Sequence, residues 1–329
     1  MNQILVTGSS GTIGTRLCEL MRAHGMKFVG VDRRANKWQP AVNECTLLGD
    51  LCDRKLIKTL PKDVDVVIHL AANARVYNLV LDPDLALENI QAAYNVLEYC
   101  RINGIKKIIF ASSREVYGNG DEPCRREDQV DIRRCESTYT ASKICGEALI
   151  EAYHRCYRLD YVITRFSNVY GMYDDSDRVV PLFIRHAQED RDLVIYGGQK
   201  MLDFTYIDDT VAGIIQCLRQ FEQAKNNVFN IATGQGARIV DLARMVVEHL
   251  ASRSRLVIRE NRTGEVVQFV ADISKAARLL QYRPATSLEE GVRKAIRWYT
   301  RHVPPTVQAV TSALKPSPEA VLPTVPASP

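Results

Sequence analysis

The chain has 329 residues, 46% of them apolar and 25% charged, as in a folded globular protein. Its net charge of +4 is too small to point to a nucleic-acid partner, and no apolar run reaches the roughly 18 residues of a bilayer span. The nine cysteines are odd in number, scattered and without a Cys-x-x-Cys pair, and no secretory leader pattern opens the chain; together these predict a cytoplasmic protein with no disulfide framework and no metal.

In chain order, Ile4–Val6 reads as a strand and Ile13–His24 as a helix, joined by Thr7-Gly8-Ser9-Ser10-Gly11-Thr12-Ile13-Gly14. Lys27–Val31, Thr46–Leu48 and Val64–Leu70 are strand-like, Leu85–Asn103 is helical, and Lys107–Ala111 is the next strand. After a long loop come a helix over about Thr140–Tyr157 and a strand over Asp160–Phe166. Near-continuous apolar strands alternating with helices predict an α/β fold, a doubly wound parallel sheet covered on both faces. The pattern loosens after Asn168. Val194–Tyr196, Phe204–Ile207 and Val228–Ile231 read as strands, and Val211–Leu218, Val240–Ala251 and Leu288–Arg301 as helices. The expected division is a dinucleotide-binding domain over 1–167 with later segments returning to it, a smaller interleaved substrate lobe over 168–302, and a disordered tail over 303–329.

Gly8-x-x-Gly11-x-x-Gly14 lies between a strand and a helix, where glycines allow a tight turn and a helix N-terminus can face phosphates. Asp32 ends the second strand, where a carboxylate can take the ribose hydroxyls and repel a 2′-phosphate, which favours NAD. Arg33 and Arg34 could favour NADP instead. Tyr139 and Lys143 stand one helical turn apart and can face one cleft. A tyrosine made more acidic by a nearby ammonium can take a proton from a sugar hydroxyl near neutrality. Ser113 follows the strand at Lys107–Ala111, at the edge where such sheets bind ligands.

With His69-Leu70-Ala71-Ala72 and Arg165-Phe166-Ser167-Asn168-Val169-Tyr170-Gly171 added in order, the chain resembles the extended short-chain dehydrogenase/reductases, and among them the NAD-dependent nucleotide-sugar epimerases and dehydratases. The resemblance covers about residues 1–300. It implies a Rossmann fold and a homodimer paired through helices such as Leu85–Asn103 and Thr140–Tyr157. It implies that Gly8, Ser10, Gly11, Thr12, Ile13 and Gly14 cradle the cofactor, with Asp32, Asp50, Leu51, Leu70, Ala71, Ala72 and Asn89 around it. Tyr139 would be the base, Lys143 would bind the nicotinamide ribose, and Ser113 would hydrogen-bond the reacting oxygen. Asn168 and Arg262 would contact the nucleotide diphosphate.

Two positions depart from that pattern. Glu115 occupies the place where family 4,6-dehydratases and UDP-glucuronate decarboxylases carry a glutamate, but Arg114 replaces the dehydratase acid. Glu115 is therefore either a catalytic carboxylate or a salt-bridge partner of a local arginine. Leu202 stands where the family's phosphate-clamping arginine is expected, and Lys200 or Arg178 could compensate. The leading expectation is an NAD-dependent epimerase that transiently oxidises C4 of a nucleotide sugar. The alternatives are a dehydratase or decarboxylase using Glu115, a dehydrogenase or reductase on another substrate, and a non-catalytic nucleotide-binding protein.

Overall fold

The computed structural model describes residues 3–120 and 122–303. Seven strands form one all-parallel sheet: β1 (Ile4–Thr7), β2 (Phe28–Asp32), β3 (Thr46–Leu48), β4 (Val66–His69), β5 (Lys107–Ser113), β6 (Asp160–Phe166) and β7 (Asn227–Ile231). Their spatial order is β7-β6-β5-β4-β1-β2-β3. The order reverses between β1 and β4, so a crevice opens beyond their C-terminal ends. Gly8, Asp32, Leu70 and Ser113 all lie at that edge.

Alternate strand residues serve opposite faces. Val6, Ile68, Ile109 and Val162 join a core with Leu17, Met21, Val211 and Ile214. Leu5, Val31, Val67, Ile108 and Ile163 join a second core with Val96, Leu97 and Ile150. Burial on both faces explains why these strands read as continuous apolar runs rather than alternating ones.

The helix Thr138–Tyr157 starts because Ser137 accepts a hydrogen bond from the Thr140 backbone N–H at 3.2 Å, and it ends where Arg158 turns left-handed. It packs beside Asp84–Ile102. A second sheet is built around Met201–Tyr206, which pairs with Asn168–Tyr170, Gly236–Arg238 and Gln268–Ala271. Buried Asp203 ties it to the main sheet, accepting from Thr233 Oγ1 at 2.6 Å and Gly234 N at 2.8 Å just beyond β7, and from Ala271 N at 3.4 Å. The helix Ile207–Arg219 then returns to the main sheet, where Arg16 meets Asp208 at 2.7 Å. Asp208 and Asp209 stand in its first turn, where carboxylates suit the positive end of the helix.

The structure adds elements the pattern did not show. Helices Val76–Leu81 and Val179–Gln188 occupy stretches to which the pattern assigns no element. Leu256–Arg259 pairs with Leu193–Tyr196, and Cys124–Arg125 pairs with Gln268–Ala271. Among the described residues no helix is long and apolar enough to cross a membrane. Beyond Val303, the expected tail lies outside the described residues.

Candidate active site

The turn after β1 is shaped by its glycines. Gly8 has φ +73°, and a Cβ there would lie 2.7 Å from Ala71 N, so Gly8 and the Leu70-Ala71 segment press together. A Cβ on Gly14 would lie 2.0 Å from the Gly8 carbonyl oxygen, which fixes close contact between turn and helix. Gly11 differs: a Cβ there would meet only the Gly8 carbonyl oxygen, at 3.3 Å, so the turn is open on its outer side. Gly11 also precedes the helix Thr12–Ala23 without a side-chain cap, which leaves the first-turn N–H groups for an anion. Ser10 Oγ is buried with no hydrogen-bond partner. The Asp32 carboxylate accepts from Ser10 N and Arg34 N, both at 3.0 Å, and so braces the turn.

These residues fit a dinucleotide. Gly11, Thr12 and Ile13 would face its pyrophosphate and Asp32 its ribose. Arg33 is engaged by Glu88 at 3.0 Å and Asp50 at 3.5 Å, so its charge is already countered. That leaves Arg33 unavailable to a 2′-phosphate, which accords with NAD. Asp50 also accepts from Cys52 N at 2.8 Å, while Leu51 is buried in the core. Leu70, Ala71 and Ala72 line the half-buried edge after β4. Asn89 is bound internally: its Oδ1 accepts from Asn73 N at 2.7 Å and its Nδ2 donates to Asn73 O at 3.0 Å. It shapes the segment after Ala72.

The catalytic candidates converge across the cleft. Ser113 ends β5, and its Oγ accepts from Glu115 N at 3.2 Å. Its hydroxyl also lies close enough to Tyr139, from the first turn of the helix Thr138–Tyr157, to favour the ionised phenol. Lys143, one turn on, donates from Nζ to Ala111 O at 2.8 Å and lies 5.9 Å from the centre of the Tyr139 ring. Burial pulls Lys143 down to about 8, which leaves it mostly protonated at neutral pH.

The acidity expected of Tyr139 draws on the ammonium and on the nicotinamide charge together; in the protein alone, burial pushes the phenol up, against the opposing pulls of Ser113, Arg178 and Arg114. Lys143 spends its hydrogen bond on Ala111 and does not reach the phenol oxygen.

Arg114 and Glu115 follow in a short 3₁₀ turn, and both are buried. Arg114 Nη2 lies 2.8 Å from Glu115 Oε1, so the salt-bridge alternative describes the geometry. Burial nevertheless raises the Glu115 carboxyl, with Arg114 opposing and Glu265 adding to the rise. Ser112 donates to Glu147 Oε1 at 2.5 Å, and Arg165 grips Glu147 with both nitrogens, at 2.9 and 2.7 Å. That trio supports the floor of the site.

On the substrate side, Leu202 is buried, in register with Ala237 and Phe269. Lys200 is buried in an ion pair with Glu265, so it is not free to replace the missing arginine. Asn168 Oδ1 is buried without a partner. The Arg262 guanidinium lies 3.9 Å from the Tyr196 ring centre and 4.9 Å from that of Tyr77. Arg75, three residues past Ala72, was not singled out by the sequence, and its Nη1 is buried without a hydrogen-bond partner. His69 is buried, with Nδ1 2.8 Å from Thr7 Oγ1, as befits a packed residue.

Residues 4–232 match the model of the NAD dependent epimerase/dehydratase family. A UDP-glucuronate 4-epimerase of Thermodesulfobacterium geofontis is 30% identical over 323 residues, covering 92% of this chain and 98% of its own length. The crystal structure of a UDP-glucuronic acid 4-epimerase from Bacillus cereus, in complex with UDP-glucuronic acid and NAD, superposes with a TM-score of 0.84 at 31% identity, over 91% of this chain and 99% of that one. A UDP-glucose 4-epimerase from Thermotoga maritima, with UDP-glucose, gives 0.84 at 28% identity over the same shares. By motif, fold and family match together, the chain belongs to the NAD-dependent epimerase/dehydratase family.

Proposed function

We propose that the protein is an NAD-dependent nucleotide-sugar 4-epimerase, a cytoplasmic enzyme. The observation that carries this is the meeting of Ser113, Tyr139 and Lys143 at the end of β5, across the crevice from the glycine turn. Residues 1–167 would hold the cofactor and 168–302 the nucleotide sugar. NAD, when bound, supplies reversible hydride acceptance.

Tyr139 removes the proton of the C4 hydroxyl as the C4 hydride leaves, and returns it when hydride comes back on the other face. Ser113 holds the same oxygen. The protonated Lys143 contributes positive charge beside the phenol and favours its ionised form. Glu115 is paired with Arg114 through Oε1 while its Oε2 has no partner, so products, not geometry, separate the epimerase from a lyase. The relatives named for UDP-glucose and UDP-glucuronate point to a uridine diphosphate sugar.

The test is product analysis by mass spectrometry and NMR after incubation with UDP-glucose and UDP-glucuronate, followed by a wider panel of sugar nucleotides. The expected product has unchanged mass and inverted C4. Loss of water or carbon dioxide would replace this reading with a lyase. Tyr139→Phe should lower turnover at least about 100-fold while cofactor content stays at the parent level. Full activity in that variant removes Tyr139 from the mechanism.

We also propose a homodimer. Leu87 is 64% exposed on the helix Asp84–Ile102, and Ala141, Ala148 and Ala152 form a small exposed stripe on the adjoining helix. Two such helix pairs can pack closely face to face.

A further inference from the structure

We propose that Arg75 and Arg178 supply the grip on the substrate's diphosphate that Leu202 cannot, beside Arg262, the position the family pattern already assigns to that group; this rests on the nucleotide-sugar reading above. Of the two residues that could compensate, geometry excludes Lys200 and keeps Arg178. Leu202 is apolar and buried between strands, and Lys200 is held by Glu265.

The three arginines are placed differently. Arg178 donates from Nη2 to Ala74 O at 3.4 Å, next to Arg75, and its charge is felt at Tyr139. Arg75 Nη1 is buried without a hydrogen-bond partner. Arg262 stacks on Tyr77 and Tyr196 and has no carboxylate partner among the described residues. The loop that carries Arg262 is close to the Tyr139 helix as well, since a Cβ on Gly264 would lie 3.4 Å from Ser137 Cβ. The three cations therefore lie together beside the Tyr139 helix, on the side of the reacting phenol.

Like charges without full compensation are costly, and Arg75 shows it. Its affinity for a proton is lowered by burial, and Arg178 and Arg262 add to that fall while Asp177 and Asp174 oppose it. Asp177, which pairs with Arg75, has a side chain 64% exposed, so that pair is a weak surface contact a diphosphate can displace. Asp174 is buried and meets Arg178 Nη1 at 3.3 Å, which fixes that fork in place. Planar guanidinium forks suit phosphate oxygens better than ammonium groups do.

The experiment is calorimetric titration of the NAD-loaded protein with UDP and with UMP, which differ by one phosphate. The parent should bind UDP at least about tenfold more tightly than UMP, a gap of about 1.4 kcal/mol. Arg75→Ala and Arg178→Ala should each shrink that ratio toward one and leave UMP affinity near the parent value. Arg75→Lys, which keeps charge without the fork, should fall between. Melting temperature and cofactor content report whether each variant is folded, and Arg75→Lys decides if an alanine variant is not. An unchanged UDP/UMP ratio in the folded variants overturns the subsite, as does a UMP loss equal to the UDP loss. Because the ratio needs no turnover, its failure is separate from failure of the epimerase reading, which shows only in the products.

Discussion

His69 shows how burial, rather than chemistry of its own, fixes a residue's behaviour. It ends β4, stacks on Phe110 with ring centres 5.6 Å apart, and bonds Thr7. Burial, with a smaller push from Lys143, lowers its pKa from 6.5 to about 3. The unfolded chain therefore takes up this proton first as pH falls. Stability from the neutral ring is fully present above pH 6.5 and drains away toward pH 3, by up to about 5 kcal/mol. Urea unfolding between pH 7 and 4 should show that slope, and His69→Phe should flatten it. An unchanged slope in the variant would assign the acid sensitivity to other groups. At this scale the sequence displays the chemistry but not the environment. Tyr139, Lys143, Ser113 and the glycines stand out because their spacing is local. The acidity of Tyr139 is not visible, because it depends on segments far apart in the chain that seal the site. Arg75 is hidden for a related reason: no local pattern marks it, and only the fold brings it to Arg178 and Arg262.

Elements follow the same rule. The strands of the main sheet are legible to within a residue or two because both faces are buried and the apolar runs are continuous. Gly236–Arg238 carries no such signal, since one glycine and one arginine in three residues do not favour a strand. It is a strand because Met201–Tyr206 offers it an antiparallel ladder. That central strand depends in turn on Asp203, whose carboxylate serves donors from two other segments. Asp203→Ala would strand those donors in the interior and should cost about 3 kcal/mol, read as a lower urea midpoint. A loss under about 0.5 kcal/mol would mean the lobes are joined by packing alone.

For the whole molecule, the doubly wound class and the return of later strands were readable from alternation, whereas the second sheet was not, being assembled from short pieces far apart in sequence. Assembly makes its own prediction. Leu87→Glu would place a charge in the proposed helix-pair interface, and sedimentation should then give a monomer where the parent gives a dimer. Equal masses for the two proteins would exclude that face.

The position of β7 carries a consequence for how the chain is made. It is the edge strand beside β6, yet it is translated only after the second sheet's central strand and the helix Ile207–Arg219. During synthesis, the outer edge of β6 must wait, its apolar residues and backbone groups unpaired, until Ile231 has left the ribosome. The main sheet cannot be finished before the central strand of the second sheet exists. A nascent chain halted between the two would present an open sheet edge, the form most inviting to chaperones and to its own copies.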